Sequence, residues 1–140
     1  MAEFQYKAGL HNVGSYQVSG IPYLTGNLSI NANTQTPVEI TFPSVTQRVH
    51  IHNNDASNGL RVGFSALGVS GSGARNYWLV EHHANNGKNN DYIELRVKTD
   101  KLFLLSNTTS AVSGAYIAAE LTGITGYELT SQYSGSAGIG

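Results

Sequence analysis

Cysteine and charge are the two things that this chain has least of. None of its 140 residues is a cysteine, which excludes a disulfide framework and a cysteine-based zinc site. Asp, Glu, Lys and Arg together make up only 12% of the chain, against roughly 25% in an average soluble domain. The net charge is −1, so we expect neither a nucleic-acid partner nor a membrane partner. Such a polar but weakly charged surface favours lasting contact with other protein.

Long apolar runs are missing as well. No stretch of the sequence approaches the roughly 18 consecutive apolar residues that indicate a transmembrane helix. The first residues, Met1 to Phe4, lack the basic and apolar regions of a signal peptide. We therefore expect a protein that is not exported by such a signal. Its length suffices for one domain with a core of its own.

Sustained helical periodicity is absent too, and short alternating segments take its place. The clearest is 92–98. In 45–53, the side chains of Val49 and Ile51 are predicted to face inward, and those of the polar residues that alternate with them are predicted to face outward: Arg48, His50 and His52. About eight such strands, spaced by roughly 8–12 residues with turn-forming residues between them, predict an all-β fold. We expect a single antiparallel β-sandwich, jelly-roll-like in its arrangement.

The two ends of the chain differ from this alternating centre. Both are rich in Gly, Ser and Tyr, and five of the eight tyrosines lie in them. We therefore divide the chain into an extended N-terminal interaction arm (1–25), a β-sandwich core (26–123) and a C-terminal tail (124–140). The core looks complete without the arm, so we expect removal of residues 1–25 to leave a folded domain.

Tyrosine is the residue that makes these ends candidates for partner contact. It combines a large contact area with a hydroxyl group at a modest cost in entropy, and interfaces are enriched in it. The alternative is that the ends fold back on their own sandwich. The predicted contact residues are Tyr6, Tyr16, Ile21, Pro22, Tyr23, Tyr127 and Tyr133.

The sequence gives no sign of catalysis. Its carboxylates are scattered over separate predicted elements, so no close acid pair can be proposed. The glycine-rich segment 68–73 fits neither a nucleophile elbow nor a phosphate-binding loop. We expect no enzymatic activity, no catalytic residue and no cofactor.

Histidines offer the one hint of a metal site. His50 and His52 are two apart on one strand, so their side chains point the same way, and His82 and His83 follow in a later loop. No third ligand of suitable spacing is evident. We therefore expect no metal-binding residues, and we interpret the pair as part of a polar strand face.

The sequence resembles a known group of viral proteins. The segments HNVGSYQVSGIPY (11–23), VEITFPSVTQRVHIHN (38–53), LRVGFSALG (60–68) and LTGI (121–124) are similar to those of small structural proteins of marine tailed bacteriophages, especially cyanophages, with relatives in large algal viruses. The resemblance covers most of the chain and is most specific in the first of these segments. It implies a virion component, assembled in the host cytoplasm, without enzymatic residues.

These observations predict a capsid decoration or cement protein, bound outside the shell through arm and oligomer contacts. The expected partner is the major capsid protein or another virion protein, together with further copies of this chain, a trimer being favoured. One alternative is a tail, neck or baseplate adaptor or ring protein. Another is a carbohydrate-binding jelly-roll module that uses Trp78 or exposed tyrosines, although Trp78 lies in an apolar run that predicts its burial.

Overall fold

The structure, a computed structural model, describes residues 20–70, 73, 76–83 and 90–124. In these ranges, segments of alternating apolar and polar residues form eight strands. One short helix, α1, lies between β4 and β5. The bounds are β1 Ile21–Ile30, β2 Val38–Thr41, β3 Thr46–Asn53, β4 Leu60–Gly63, α1 Ala66–Val69, β5 Tyr77–Val80, β6 Tyr92–Leu95, β7 Lys101–Ser106 and β8 Val112–Leu121.

The strands form two four-stranded antiparallel sheets. The first sheet has the order β1-β8-β3-β6 and the second the order β2-β7-β4-β5, and every paired strand runs antiparallel to its neighbour. The chain crosses from one sheet to the other at most of its connections, which gives the eight-stranded arrangement of a jelly roll. The prediction of an all-β, jelly-roll-like sandwich is therefore confirmed.

The core lies between the sheets and is built from the inward side of each alternation. Val49 and Ile51 of β3 are fully buried and sit opposite Ala119 and Ile117 of β8. Each such aliphatic side chain stabilises the fold by about 1.5–3 kcal/mol on burial. The second sheet contributes the facing layer of buried side chains: Ile40, Leu60, Val62, Val80, Leu102 and Leu104.

The predicted boundary between arm and core at residues 25/26 is wrong. Strand β1 begins at Ile21, and Ile21 pairs with Leu121 of β8. Tyr23 packs edge-to-face on Phe42 with ring centroids 5.1 Å apart, a favourable aromatic geometry. At the other end, Ile124 is buried, so the sandwich includes residues 21–25 and extends to 124.

The prediction that Trp78 is buried is also wrong, since its side chain is 62% exposed. Trp78 pairs with Val62 across β5 and β4, and directly opposed residues share a face of the sheet. Its side chain therefore points to the interior side, as its apolar neighbours suggest. Because β5 is the edge strand of the second sheet, the sandwich is open there and the indole meets solvent.

Helix α1 covers part of the outside of the second sheet. Ser65 caps it by accepting a hydrogen bond from the Gly68 N–H at 2.9 Å, and Val69 is fully buried. The helix approaches closely because Gly63 has no side chain: a Cβ there would lie 2.6 Å from Val69 Cγ1. Arg61 Nη1 donates to the Val69 carbonyl at 2.9 Å.

Candidate functional site

The candidate site is the outer face of the first sheet, the side that points away from the core. Cross-strand register sets its composition, because His50 lies between Ala118 and Glu94, and His52 lies between Tyr116 and Tyr92. The outer face thus combines aliphatic, aromatic, histidine and acidic side chains drawn from four strands. Its members are Leu24, Tyr116, Ala118, His50, His52, Tyr92 and Glu94.

A shallow groove of about 340 Å³ runs across this face between β1 and β3. Leu24 stands at its rim with 79% of its side chain exposed. The Tyr116 ring packs against Gly26, where a Cβ would come within 2.5 Å of Tyr116 Cδ1. We call this the outer groove; its lining residues are Leu24, Thr25, Gly26, His50, Tyr116, Ile117 and Ala118.

The strand beside the outer groove is locally irregular. The register of β1 against β8 shifts between Thr25 and Leu28, and Asn27 has a positive φ of 53°. Asn adopts this left-handed conformation more readily than most residues. The irregularity coincides with Gly26, against which the Tyr116 ring packs, so the absence of a side chain at this position makes room for the aromatic ring.

Three side chains at one end of the outer face form what we call the His–Asp cluster. Asp91 Oδ2 lies 2.7 Å from His83 Nδ1 and 3.8 Å from His52 Nδ1. One nitrogen or oxygen atom of each residue lies within 4.8 Å of the other two. The sequence showed no third candidate ligand, whereas the structure places His83 and Asp91 beside His52. This proximity depends on the pairing of β3 with β6 and on the hydrogen bond from His83 to the β3–β4 turn.

Backbone hydrogen bonds fix all three members of the His–Asp cluster. The N–H of His83 donates to the Asp55 carbonyl at 2.8 Å, and the N–H of Asn53 donates to the Asp91 carbonyl at 2.7 Å. His52 itself lies within β3. The cluster consequently lies where the β3–β4 turn meets the β5–β6 connection, and hydrogen bonds hold the backbone of its residues in place.

Asp55 is the centre of the turn that supports this junction. Its Oδ1 accepts hydrogen bonds from the N–H groups of Ser57 and Asn58, both at 2.7 Å. Its Oδ2 accepts from the N–H of Ser113 at 2.9 Å, which ties the turn to the start of β8. Burial alone would raise the pKa of Asp55, but the hydrogen bonds from Ser113, Ser57 and Asn58 outweigh it and lower the pKa from 3.8 to about 2.

Asp91 is also held in its charged form. The hydrogen bond with the His83 side chain is the main cause of a pKa below the ordinary 3.8; burial opposes it, and electrostatic interaction with His52 and His83 lowers the pKa further. The side chain of Asp91 is 13% exposed and that of His83 is 60% exposed. The largely buried carboxylate of Asp91 therefore contacts the exposed imidazole of His83.

An ion-pair network occupies the opposite end of the outer face. Arg48 Nε lies 3.0 Å from Glu94 Oε1, and Arg48 Nη1 lies 4.0 Å from Glu120 Oε1. Gln47 Nε2 donates to Glu120 Oε2 at 2.8 Å. These side chains are well exposed, so each pair contributes at most about 1 kcal/mol to stability. The network makes one end of the face polar and leaves the Leu24–Tyr116 region as its apolar part.

A second groove, of about 300 Å³, opens at the edge of the sandwich beside Trp78. It lies where the edge strands β5 and β6 of the two sheets face each other. Most of its lining residues are apolar, and Asn76 is a polar residue among them. We call this the edge groove; its lining residues are Val62, Gly63, Phe64, Asn76, Tyr77, Trp78, Ile93 and Leu95.

The predicted contact residues fall into three groups. Ile21 and Pro22 are exposed at the start of β1, and Pro22 shares the outer face with Leu24. Tyr23 is half-buried, because its ring packs on Phe42 inside the domain. The others lie outside the described residues: Tyr6, Tyr16, Tyr127 and Tyr133. Alternation could have pointed to Leu24 and Tyr116 as outward residues, but their proximity depends on the β1–β8 pairing.

No family model, curated protein or solved structure matches this chain. Its function must therefore be inferred from its own residues. Within the described ranges, no helix has the length and hydropathy needed to span a membrane.

Proposed function

We propose that this chain is a non-enzymatic structural protein of a virion, and more specifically a decoration protein that binds the outside of the capsid. The observation that carries the proposal is a patch of exposed apolar side chains on the outer face, formed by Pro22, Leu24 and Tyr116. Contiguous exposed apolar surface on a water-soluble domain is typical of a protein–protein contact. The resemblance of the sequence to small phage structural proteins suggests which protein would cover it.

The position of this apolar patch suits a shared interface with the N-terminal arm. The patch begins at Pro22, near the start of β1, and residues 1–19 precede this strand in the chain. Within the proposal, we expect a partner on the patch to contact the arm as well. The proposed partner is the major capsid protein or another virion protein, alongside further copies of this chain in a homo-oligomer, with a trimer favoured.

Replacement of Leu24 by aspartate tests the apolar patch. Leu24 is 79% exposed, so Leu24→Asp is expected to leave the fold intact. It would bury an unpaired charge in the interface, which should weaken binding to capsids by at least about 10-fold. The measurement is co-sedimentation of the purified protein with capsids from which it has been stripped.

The matched control for this experiment is Leu67→Asp. Leu67 is 77% exposed, but it lies on helix α1 at the second sheet, so its replacement should leave capsid binding unchanged. Equal binding by both variants and the original chain would contradict a role for the outer face. Immunogold labelling of intact particles gives the location: many copies over the head support decoration, whereas a few copies at one vertex favour the tail, neck or baseplate alternative.

Trp78 supports a second candidate function, carbohydrate binding. Its exposed indole stands beside the edge groove, where Asn76 can hydrogen-bond a ligand. Flat aromatic faces combined with a few polar groups suit the apolar face and hydroxyls of a sugar ring. A virion protein with such a groove would attach to glycans as well as to the shell.

A glycan array probed with the full chain tests this second candidate. Trp78→Ala should weaken any glycan binding by about 10-fold or more, because the loss of a stacking ring removes much of the contact energy. The control is Tyr92→Ala, which removes an exposed aromatic from the other sheet. Absence of glycan binding, or binding that Trp78→Ala leaves unchanged, would contradict carbohydrate recognition at the edge groove.

A further inference from the structure

We propose that His52, His83 and Asp91 bind one divalent transition-metal ion, with Zn²⁺ the best fit. Two imidazoles and one carboxylate are the ligand types that Zn²⁺ accepts, whereas Mg²⁺ and Ca²⁺ require oxygen ligands almost throughout. All three ligand atoms already lie within 4.8 Å of one another. The proposal depends on neither the virion role nor the glycan role.

Side-chain rotations can bring the ligand atoms of the His–Asp cluster to metal-binding distances. Ligands about 2.0–2.1 Å from a tetrahedral Zn²⁺ lie roughly 3.3 Å from each other. Asp91 Oδ2 is 2.7 Å from His83 Nδ1 and 3.8 Å from His52 Nδ1, so one distance must lengthen and the other shorten by about half an ångström. The ligand atoms of the two imidazoles lie within 4.8 Å of each other and must also move closer. The exposed ring of His83 has room for this adjustment.

The backbone around the cluster is organised before any ion arrives. The Asp55 carbonyl accepts from the His83 N–H, and the Asp91 carbonyl accepts from the Asn53 N–H. Neighbouring His52 belongs to a central strand of the first sheet. A site on fixed backbone loses little conformational entropy on binding. His83 is mostly exposed, so the fourth coordination position faces solvent and is suited to water.

The ion would link two parts of the fold that are far apart in sequence. His52 ends the outward row of β3, while His83 and Asp91 flank the β5–β6 connection. Coordination would join that connection to the sheet, in addition to the existing backbone bonds. Because the ion binds the folded chain, in which these groups are assembled, it should raise the thermal stability of the protein.

Calorimetric titration of the full chain, stripped of metal with EDTA and dialysed, tests the site. We expect one Zn²⁺ per chain and a rise of about 5 °C or more in Tm at saturating Zn²⁺. Ca²⁺ and Mg²⁺ at the same concentration should leave Tm unchanged. His83→Ala and Asp91→Asn should each weaken Zn²⁺ binding by at least about 10-fold, with circular dichroism to verify that each variant is folded.

The matched control is His50→Ala, because His50 lies on the same strand face but outside the cluster and stacks on Tyr92 at 5.4 Å. His11→Ala controls for the histidine outside the described residues. The absence of saturable Zn²⁺ binding, or binding lost in a control and kept in His83→Ala, would overturn the proposal. X-ray absorption of the Zn²⁺-loaded original chain needs no variant: two imidazole ligands per ion support the site, and fewer contradict it.

Discussion

Asp55→Ala is expected to lower the free energy of unfolding by about 3 kcal/mol. The carboxylate accepts hydrogen bonds from three backbone N–H groups, those of Ser57, Asn58 and Ser113, and it is buried. Alanine would leave these donors without an acceptor and release the β3–β4 turn from the start of β8. Urea unfolding followed by tryptophan fluorescence or circular dichroism measures the loss.

The control is Glu39→Ala, which removes an exposed carboxylate whose ion-pair partner is Lys101 at 3.2 Å. Exposed pairs of this kind contribute little, so the change should stay within about 0.5 kcal/mol. A loss below about 1 kcal/mol for Asp55→Ala would show that the turn holds without the carboxylate.

Acid should weaken the same turn in the original protein. The pKa of Asp55 is lowered from 3.8 to about 2 in the folded state, so its charge stabilises the fold fully above about pH 4. This contribution is lost as the pH falls from about 4 to about 2, and it amounts to about 2 kcal/mol. Asp55→Asn should therefore differ most from the original chain at neutral pH and least near pH 2.

Removal of residues 1–19 and removal of residues 1–25 should have very different results. The shorter deletion ends before Ile21, the first residue of β1, so the sandwich should keep its Tm within a few degrees. The longer deletion removes half of β1 and the Tyr23–Phe42 contact. It should cost several kcal/mol of stability, because it removes five paired strand residues together with a half-buried aromatic ring. Thermal unfolding of both truncated chains measures the difference.

The same pair of deletions separates the arm from the strand. If the proposed function is correct, the chain without residues 1–19 folds but binds capsids less tightly than the full chain. Equal capsid binding would mean that the arm does not contact the shell and that the exposed patch on β1 acts alone. Equal stability of both truncated chains would contradict the assignment of residues 21–25 to the sandwich.

Local patterns were enough to predict the fold class and the facing of individual strands. Val49 and Ile51 point inward and His50 and His52 point outward, as the alternation predicts. Alternation follows from the two-residue period of a strand, which any short segment of sequence displays. By contrast, the Gly and Tyr content led to a wrong prediction of where the sandwich starts. Residues 21–25 resemble the arm in composition, yet they pair with β8.

The parts of the site that the sequence did not reveal depend on pairing between distant strands. Asp91 follows His52 by 39 positions, and the β3–β6 ladder brings them together. Likewise, Trp78 has the neighbours of a buried residue, but its exposure depends on the position of β5 at a sheet edge. The order of strands in a sheet depends on the whole chain, so it cannot be predicted from a short segment of sequence.

The pairing of Ile21 with Leu121 has a mechanical consequence for both ends of the chain. The described chain starts at Gly20, next to β1, and ends at Ile124, three residues after Leu121, so segments 1–19 and 125–140 both join the sandwich close to this pair. If both segments bind a partner, as proposed, binding of one would hold the other near the same surface at an effective concentration on the order of millimolar. The combined affinity would then exceed that of either segment alone.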